Sequence, residues 1–423
     1  MNSENKINYI LAREILDSRG HPTVEVDLHT GWGRVRASVP AGASRGVHEA
    51  KELRDSGSRY LGQGVLQAVT NVNEGIAPAL LGEDCTNQRK IDEMLLELDG
   101  TGDKSKLGAN AILACSMAVS RAGAFHKQQS LFHYIGQISD TDSFVMPVPW
   151  INLINGGAHA GNDLDFQEYH VVPTGAETFS EALRMGAEIY QYLRVILRQR
   201  YGEQAINLGD EGGFSPPLLK IEEPLQLIMN AAEEAGYEDD ISLGIDVAAS
   251  TFFKDEKYIV EGKSLGAKEL LLIYVELHER YPLILIEDGY AQDVWEDWQN
   301  LTRKLGSKLQ VVGDDLTCTN VDRLVEAVKK NACNSTIIKI NQIGTISEVI
   351  EAVKYCREEG LEYCVANRSG ETEDTYIADL AVGLGSKQCK FGGPARSDRT
   401  AKYNRLLRIE ERLGDKAKFA RIV

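Results

Sequence analysis

Hydrophobic and polar residues alternate along the first forty residues with the two-residue period of a β-sheet. Segments 8–15 and 23–30 place apolar side chains at every second position, and the turn at 31–33 leads into a third such segment at 34–40. Successive side chains of a strand point to opposite faces, so this alternation is typical of half-buried strands. The pattern predicts a three-stranded β-meander.

A helical spacing replaces the alternation further along. Segments 65–81, 88–99 and 109–127 carry apolar residues three and four positions apart, which is the spacing of one helix face. A meander followed by helices predicts an α+β domain, and we expect it to comprise residues 1–140. Segment 139–150 is polar and then contains prolines, which predicts a linker.

Beyond residue 145, short apolar runs recur, and each run ends in charged or amide side chains. The later runs are spaced roughly 25 residues apart with helical patterns between them, which suits one strand plus one crossover helix. This rhythm predicts an α/β TIM-like (β/α)8 barrel over residues 141–423, whose active site lies in the loops after the strands. The eight candidate strands are 163–168, 205–213, 241–246, 282–288, 309–315, 336–341, 362–369 and 387–393.

An open, doubly wound sheet is the alternative, because its ligands also bind at strand ends. That fold is typically marked by a GxGxxG motif after its first strand, and no such motif follows the first strand here. The pattern therefore favours the barrel.

Composition excludes several classes of partner. The chain has 423 residues and a net charge of −17, so its field would repel nucleic acid and anionic membranes. No apolar run approaches the roughly 20 residues of a membrane helix, and the first residues lack a signal-peptide core. Seven scattered cysteines with no CxxC pair are typical of reduced thiols. We expect a cytoplasmic enzyme.

Three of the strand ends carry acidic residues in succession. Asp246, Glu287 and Asp314 each close a predicted strand, so a barrel would bring them to one mouth. Carboxylates that converge repel one another unless a cation lies between them, and oxygen ligands without His or Cys favour Mg²⁺. Each acid alone would be a surface or capping residue; the three together predict a metal site.

Two lysines and two glutamates complete the candidate chemistry. Lys339 lies in an apolar frame, where it is either a structural partner for a carboxylate or a base whose pKa is lowered by burial and a second cation, Lys390. Glu168 and Glu211 end earlier segments and could donate a proton to a leaving hydroxide, although Glu168 could instead pair with a lysine.

Two small-residue loops look mobile. Segment 41–46 (AGASRG) resembles a lid, although most such loops are only turns. Segment 155–163 carries His159, and a lone loop histidine is more often incidental than catalytic.

The chain resembles the enolase family nearly end to end. The motifs that carry the resemblance are DSRGHPTVEVD, KSKLGANAILA, MPVPWINLINGGAHAGND, GDEGGF, IEDG, GDDL, IKINQIGT, RSGETED and ARSDRTAKYN. The resemblance implies a hydro-lyase that removes water from 2-phosphoglycerate to give phosphoenolpyruvate, with two Mg²⁺ per active site. It also implies a small phosphorylated carboxylic acid as substrate and a homodimer or larger homo-oligomer.

The resemblance also implies roles for individual residues. Lys339 would take the proton next to the substrate carboxylate, Lys390 would stabilise the resulting enolate, and Glu211 assisted by Glu168 would protonate the departing hydroxide. The implied metal ligands are Asp246, Glu287, Asp314 and, for the second ion, Ser44. The implied substrate contacts are Arg368, Ser369, Asn367, Gln167, Arg45 and Ala43, with His159 closing over the phosphate.

Several positions depart from the family pattern. Asn367 stands where the family has histidine, Arg45 and Ala41 change the lid, Phe391 replaces threonine, and His21 replaces asparagine. We expect Asn367, Arg45 and Phe391 to cluster at the pocket, which would favour a paralogue acting on a related phosphorylated or phosphonate acid. A non-catalytic scaffold is a third hypothesis, and the intact lysines argue against it.

Overall fold

The predicted meander forms as an antiparallel sheet at the start of the chain. The computed structural model describes residues 3–43 and 45–422. Its first strands are β1 (Ile7–Leu16), β2 (Pro22–Thr30) and β3 (Gly33–Ser38), paired in the order β1-β2-β3. Val24, Val26 and Leu28 of the central strand are fully buried. The strand is not half-buried as the alternation predicts, because Glu25 and Asp27 on its other face are also buried, where they pair with Arg13.

Helices cover the buried face of the meander. Helix α4 (Ala109–His126) is buried on nearly all sides, because it lies between β2 and β3 on one side and two barrel helices on the other. The pattern at 65–81 forms two short helices interrupted by a π-turn at Asn71–Ile76. The helices of this part are α1 (Leu66–Thr70), α2 (Ala77–Leu80), α3 (Gln88–Asp99), α4 (Ala109–His126) and α5 (Leu131–Ile138).

A nearly closed sheet of nine strands surrounded by helices follows, which confirms the TIM-like barrel. In chain order its strands are β5 (Val148–Pro149), β6 (Ile151–Asn155), β7 (Glu168–Val172), β8 (Ser242–Asp246), β12 (Leu283–Glu287), β13 (Gln310–Gly313), β14 (Ser335–Ile338), β15 (Glu362–Ala366) and β16 (Gln388–Lys390). Strands β4 (Val145–Met146) and β17 (Lys418–Phe419) pair separately, as do β9 (Phe253–Lys254), β10 (Lys257–Val260) and β11 (Lys263–Leu265).

One continuous segment closes the barrel. Strand β5 pairs with β16, and β6, which follows directly, pairs with β7 at the other end of the sheet. The amide of Asn152 in β6 also donates to the carbonyl of Gly392 just beyond β16 (3.2 Å). Segment 148–155 therefore joins the first and last strands.

Strand β7 runs antiparallel to both of its neighbours, β6 and β8. Its first residue, Glu168, therefore lies opposite Asp246, the last residue of β8. The sequence pattern placed Glu168 at the end of a strand, and this was wrong: the residue begins its strand. Because the strand direction is reversed as well, Glu168 still lies at the mouth.

Two further expectations are corrected. Segment 205–213 is a loop after a short 3-10 turn, with isolated bridges from Phe214 to Ile154 and Leu208. Its three glycines and its charged residues offer too few buried side chains for a barrel strand. The predicted linker 139–150 instead contains β4 and β5, whose apolar residues contribute to the barrel.

The remaining helices surround the sheet. They are α6 (Phe179–Tyr201), α7 (Glu223–Ala235), α8 (Ala267–Arg280), α9 (Trp295–Leu305), α10 (Val321–Lys330), α11 (Ile340–Ile343), α12 (Ile346–Glu359), α13 (Tyr376–Gly383) and α14 (Ser397–Leu413). In the described residues, none of the helices has the length and apolarity needed to cross a membrane. All seven cysteines are free thiols and buried.

Candidate active site at the barrel mouth

The strand ends deliver a ring of buried charges to one rim of the barrel. Glu287 lies beside Asp246 in the parallel pairing of β12 and β8, and Asp314 follows the last residue of β13. Lys339 directly follows β14, and Lys390 is the last residue of β16. The other four residues are buried, and the side chain of Lys339 is only 12% exposed.

Lys390 lies at the centre of the acidic side of this ring. Its Nζ is 2.9 Å from Asp246 Oδ2, 2.8 Å from Glu287 Oε2 and 3.4 Å from Glu168 Oε2. Burial disfavours its ammonium, but the surrounding carboxylates outweigh that effect and hold the pKa of Lys390 well above its usual value. This side chain is therefore a fixed positive charge.

Lys339 forms an ion pair with Asp314, whose other oxygen accepts a hydrogen bond from Gln342 Nε2 (2.8 Å). Burial, Arg368 and Lys390 all act to lower the pKa of Lys339, yet Asp314 outweighs them and the pKa is raised. The sequence left two interpretations of Lys339 open, and the structure shows the partner of a carboxylate instead of an amine with a lowered pKa. The difference arises because a carboxylate lies closer to the amine than either neighbouring cation does.

Glu168, Glu211 and His159 form a compact group across the mouth. His159 Nδ1 lies 3.2 Å from Glu168 Oε1 and 3.9 Å from Glu211 Oε1. Burial disfavours the imidazolium, but Glu211 and Glu168 outweigh it and raise the pKa of His159. The loop histidine is therefore no incidental surface residue.

Glu168 is held ionised by several donors. His170 Nε2 and Asn152 Nδ2 each lie 2.9 Å from its Oε2. Burial raises the pKa of Glu168, but Lys390 and His159 outweigh burial and lower it well below the usual value. Glu168 is thus a poor proton donor, whereas Glu211 has an oxygen, Oε2, that is buried without a hydrogen-bond partner.

Residues 42, 43 and 49 lie against Arg368 and Ser369 at the mouth. Glu49 forms a two-pronged ion pair with Arg368 (2.9 and 3.1 Å), and the amide of Ala43 donates to Ser369 Oγ (2.7 Å). A side chain at Gly42 would collide with the Arg368 guanidinium. The predicted metal ligand Ser44 lies outside the described residues.

The covered site is nearly closed. A cavity of about 10 Å³ remains between its walls, which is close to the space of one water molecule. The residues that line the cavity are His159, Gln167, Glu168, Glu211, Lys339, Asn367, Arg368, Ser369 and Lys390.

The acidic side fits a divalent cation. Glu287 Oε1 is buried without a hydrogen-bond partner, and Gln167 Oε1 is in the same condition. Burial, and then the neighbouring charge of Asp246, raise the pKa of Glu287 well above its usual value. Hard oxygen donors with an unbalanced negative charge are the donor set that Mg²⁺ prefers.

The predicted trio does not close around a single point in the described structure. Its oxygens face the Nζ groups of Lys339 and Lys390 instead of one another. Two other groups bring their candidate ligand atoms within 4.8 Å: Asp288 with Asp314 and Asp315, and His159 with Glu168 and Glu211. A cation held by the trio would therefore compete with the two ammonium groups.

Asp288 organises the strand end that carries Asp314. Its carboxylate accepts hydrogen bonds from the amides of Asp314 (2.9 Å) and Asp315 (3.0 Å). Burial and the neighbouring Asp314 also raise the pKa of Asp315 to about 7. Asp288 is occupied by backbone amides, so it orients the loop and is a poor candidate ligand.

Only one of the three departures lies on the cavity. Asn367 lines it with a buried carbonyl oxygen that lacks a partner, while its Nδ2 donates to the carbonyl of Arg368 (2.9 Å). Arg45 instead pairs with Glu52 in a partly exposed ion pair. Phe391 is buried against Tyr403. The expected cluster of three changes at the pocket is therefore wrong.

Sequence reasoning missed several residues of this site. Glu49 and Gln342 contact Arg368 and Asp314 directly, and His170 and Asp288 orient their neighbours. Asp288 could have been found, since it stands next to Glu287 at the same strand end. Glu49 gave no signal, because its partner is more than 300 positions away in the sequence.

The chain is similar to known proteins along nearly its whole length. Residues 7–135 match the family model "Enolase, N-terminal domain", and residues 143–422 match "Enolase, C-terminal TIM barrel domain". The chain is 52% identical over 415 residues to the enolase of Pyrococcus furiosus, covering 97% of this chain and 96% of that protein. It is likewise 52% identical over 412 residues to the enolase of Thermococcus kodakarensis, covering 96% and 95% of the two chains.

Proposed function

This chain belongs to the enolase family, and we propose from that premise how its own residues divide the work of the family's reaction. The reaction is the loss of water from 2-phosphoglycerate to give phosphoenolpyruvate, and the chain is a lyase of this kind. The observation that carries the division of roles is that lysines and carboxyl groups from separate strand ends converge at one buried mouth.

Lys339 is the base. It lies on the rim, lines the cavity and faces the group of His159, Glu168 and Glu211 on the other wall. An ammonium cannot accept a proton. Lys339 can therefore act as a base only when another cation pairs with Asp314 and the pKa of Lys339 falls. Arg368 and Lys390 already act to lower the pKa of Lys339. If the pairing with Asp314 were lost, these two cations would lower the pKa of Lys339.

Glu211 is the acid that protonates the departing hydroxide. Its unpartnered Oε2 and its place beside His159 suit a proton donor, whereas Glu168 stays ionised. Glu168 and His159 hold Glu211 in an environment of fixed charge. The base and the acid thus stand on opposite walls, so that the proton and the hydroxide leave from different sides of the substrate.

We propose Mg²⁺ as the cofactor, with two ions in each active site. Bound there, Mg²⁺ supplies electrostatic stabilisation of the negative charge that develops on the substrate carboxylate. Asp246, Glu287 and Asp314 would hold the first ion, and Ser44 would contribute to the second. The unpartnered Glu287 oxygen and the excess of carboxylates support the first assignment.

Replacing Glu287 with glutamine is expected to weaken Mg²⁺ binding by about 100-fold, because a carboxylate ligand and its charge are both lost. Titration calorimetry with Mg²⁺ alone, without substrate, measures this effect independently of activity. Glu25→Gln is the matched control, since Glu25 is a buried glutamate paired with Arg13 in the meander. Equal Mg²⁺ affinity in the two variants would contradict the assignment.

Arg368 and Ser369 bind the substrate phosphate, with Gln167 and Asn367 nearby. Arginine offers a planar fork that matches phosphate oxygens, and here Glu49 occupies it. The substrate phosphate would displace Glu49 from Arg368. Because Arg45 and Phe391 contact other parts of the protein, the hypothesis of a paralogue with another substrate is not favoured.

We propose that the chain forms a homodimer in the cytoplasm. Strand β1 is an edge strand and exposes Tyr9, Leu11 and Leu16, an apolar surface that a second copy would cover. Sedimentation velocity is expected to give about twice the 46.7 kDa of one chain. A mass of 46.7 kDa at micromolar concentration would contradict the dimer. The seven free thiols suit a reducing compartment.

Enolpyruvate absorbance during incubation with 2-phosphoglycerate and Mg²⁺ tests the function directly. Turnover should appear with Mg²⁺ and vanish with a chelator. No turnover at high enzyme concentration would refute the proposed function.

A further inference from the structure

The motif ARSDRTAKYN forms the start of α14, and the roles proposed so far leave it unexplained. Three basic residues, Arg396, Arg399 and Lys402, recur at every third position around the first two turns of this helix. Cations at a helix N-terminus oppose the helix dipole and cost stability. The presence of three cations against this preference indicates that they act on groups outside the helix.

Arg399 joins two loops of the active site. Its side chain is fully buried, and Nη1 donates to the carbonyl of Arg368 (2.6 Å) while Nη2 donates to the carbonyl of Ser369 (2.6 Å). The same Nη2 donates to the carbonyl of Asp210 (3.1 Å), the residue before Glu211. One guanidinium therefore contacts the phosphate-binding loop and the loop of the general acid.

The neighbouring cations support the same two loops from either side. Lys402 Nζ donates to the carbonyl of Thr372 (2.6 Å) and lies 3.0 Å from Glu371. Glu371 in turn accepts from the amide of Arg368 (3.1 Å). Arg396 Nη1 donates to the carbonyl of Gly209 (3.0 Å). Of these three cations, Arg399 is the one that contacts both loops, and Asp398 lies 2.8 Å from its Nε.

We propose that Arg399 is a positioning residue that sets the separation between Glu211 and the phosphate-binding pair Arg368 and Ser369. The inference rests on the proposed function, because it takes Glu211 as the acid and Arg368 and Ser369 as the phosphate-binding pair. A substrate held by its phosphate presents its hydroxyl to Glu211 only if the two loops keep a fixed distance. Displacement by about 1 Å at such a site costs about 100-fold in rate.

The substitution Arg399→Lys tests this role. Lysine keeps the charge but is a flexible point donor, so it cannot bridge three carbonyls in a fixed plane. We expect KM for 2-phosphoglycerate to rise about 10-fold and kcat for dehydration to fall about 10-fold. Exchange of the C2 proton with solvent deuterium needs Lys339 but no protonation by Glu211. The ratio of exchange to dehydration should therefore rise about 10-fold.

Arg405→Lys is the matched control. Arg405 lies on the same helix and donates two hydrogen bonds to Asp379 (2.7 and 2.6 Å) instead of to the two loops of the site. A purely structural role of Arg399 would reduce the folded fraction and hence the apparent kcat, leaving KM and the exchange ratio unchanged. Arg399→Lys kinetics that match those of the control would overturn the proposal.

Asp398→Asn provides a second variant if Arg399→Lys does not fold. It keeps Arg399 but removes the carboxylate that lies 2.8 Å from Nε and helps to fix the guanidinium, so the same rise in KM and in the exchange ratio should appear with smaller amplitude. An unchanged ratio in a folded Asp398→Asn protein would then reject the role of Arg399. The unsubstituted protein separates the two levels of inference: if it shows neither exchange nor dehydration, the proposed function itself has failed.

Discussion

Replacing Lys339 with methionine is expected to reduce dehydration of 2-phosphoglycerate by about 10⁴-fold and to abolish C2 proton exchange with the solvent. Methionine keeps most of the side-chain volume but has no nitrogen to accept the proton. Loss of both activities identifies Lys339 as the base, because every later step needs the proton to leave first. Deuterium incorporation at C2, followed by NMR, measures the exchange.

The Lys339 variant also loses a buried ion pair, so its stability needs a control. Asp314 would be left without its ammonium partner, which costs on the order of 3–5 kcal/mol for a buried pair. Lys104→Met makes the same change at a buried lysine paired with Glu348 (2.9 Å) away from the mouth. The control should lose stability and keep exchange. Residual exchange in a folded Lys339→Met protein would assign the base elsewhere.

Replacing Glu211 with glutamine is expected to separate the two activities. Dehydration should fall by about 10³-fold, because glutamine cannot protonate the leaving hydroxide. Exchange at C2 should persist, since Lys339 and the carboxylates of the opposite wall are untouched. The comparison of both rates on one sample, by absorbance and by NMR, removes any error in the active concentration.

Glu25→Gln serves as the control for Glu211→Gln, because Glu25 is a buried glutamate in the meander and not at the barrel mouth. Both activities should survive in it. If dehydration and exchange fell together in Glu211→Gln, the residue would act on substrate binding or on Lys339. Retained dehydration in Glu211→Gln would instead indicate that His159 donates the proton.

Much of the fold could be predicted because local periodicity encodes it. The meander and helix α3 appear where the spacing predicts them, and the acids that end β8 and β12 do lie together at one rim. Those features depend on neighbours in sequence and on the rule that parallel strands end at one face. The predicted boundary at residue 140 and the roles of the site residues stay predictions.

The reversal of β7 could not be predicted, because a strand carries the same alternation in either direction. The loop at 205–213 was mistaken for a strand for a related reason: a short apolar run beside acids looks alike in both settings. The pairing of Arg45 with Glu52 depends on which way one side chain turns. The raised pKa of Lys339 depends on an ion pair across two strand ends.

The contact between Glu49 and Arg368 gives the resting protein a form of selectivity. A cell contains many small anions, and an open guanidinium would attract them all. Here each arrival competes with a tethered carboxylate whose effective concentration greatly exceeds that of a free solute. A bare anion gains little by displacing Glu49, whereas a compound that also contacts other charged groups of the site recovers the cost of displacing it. The Glu49–Arg368 ion pair thus favours ligands that the site binds through several groups at once.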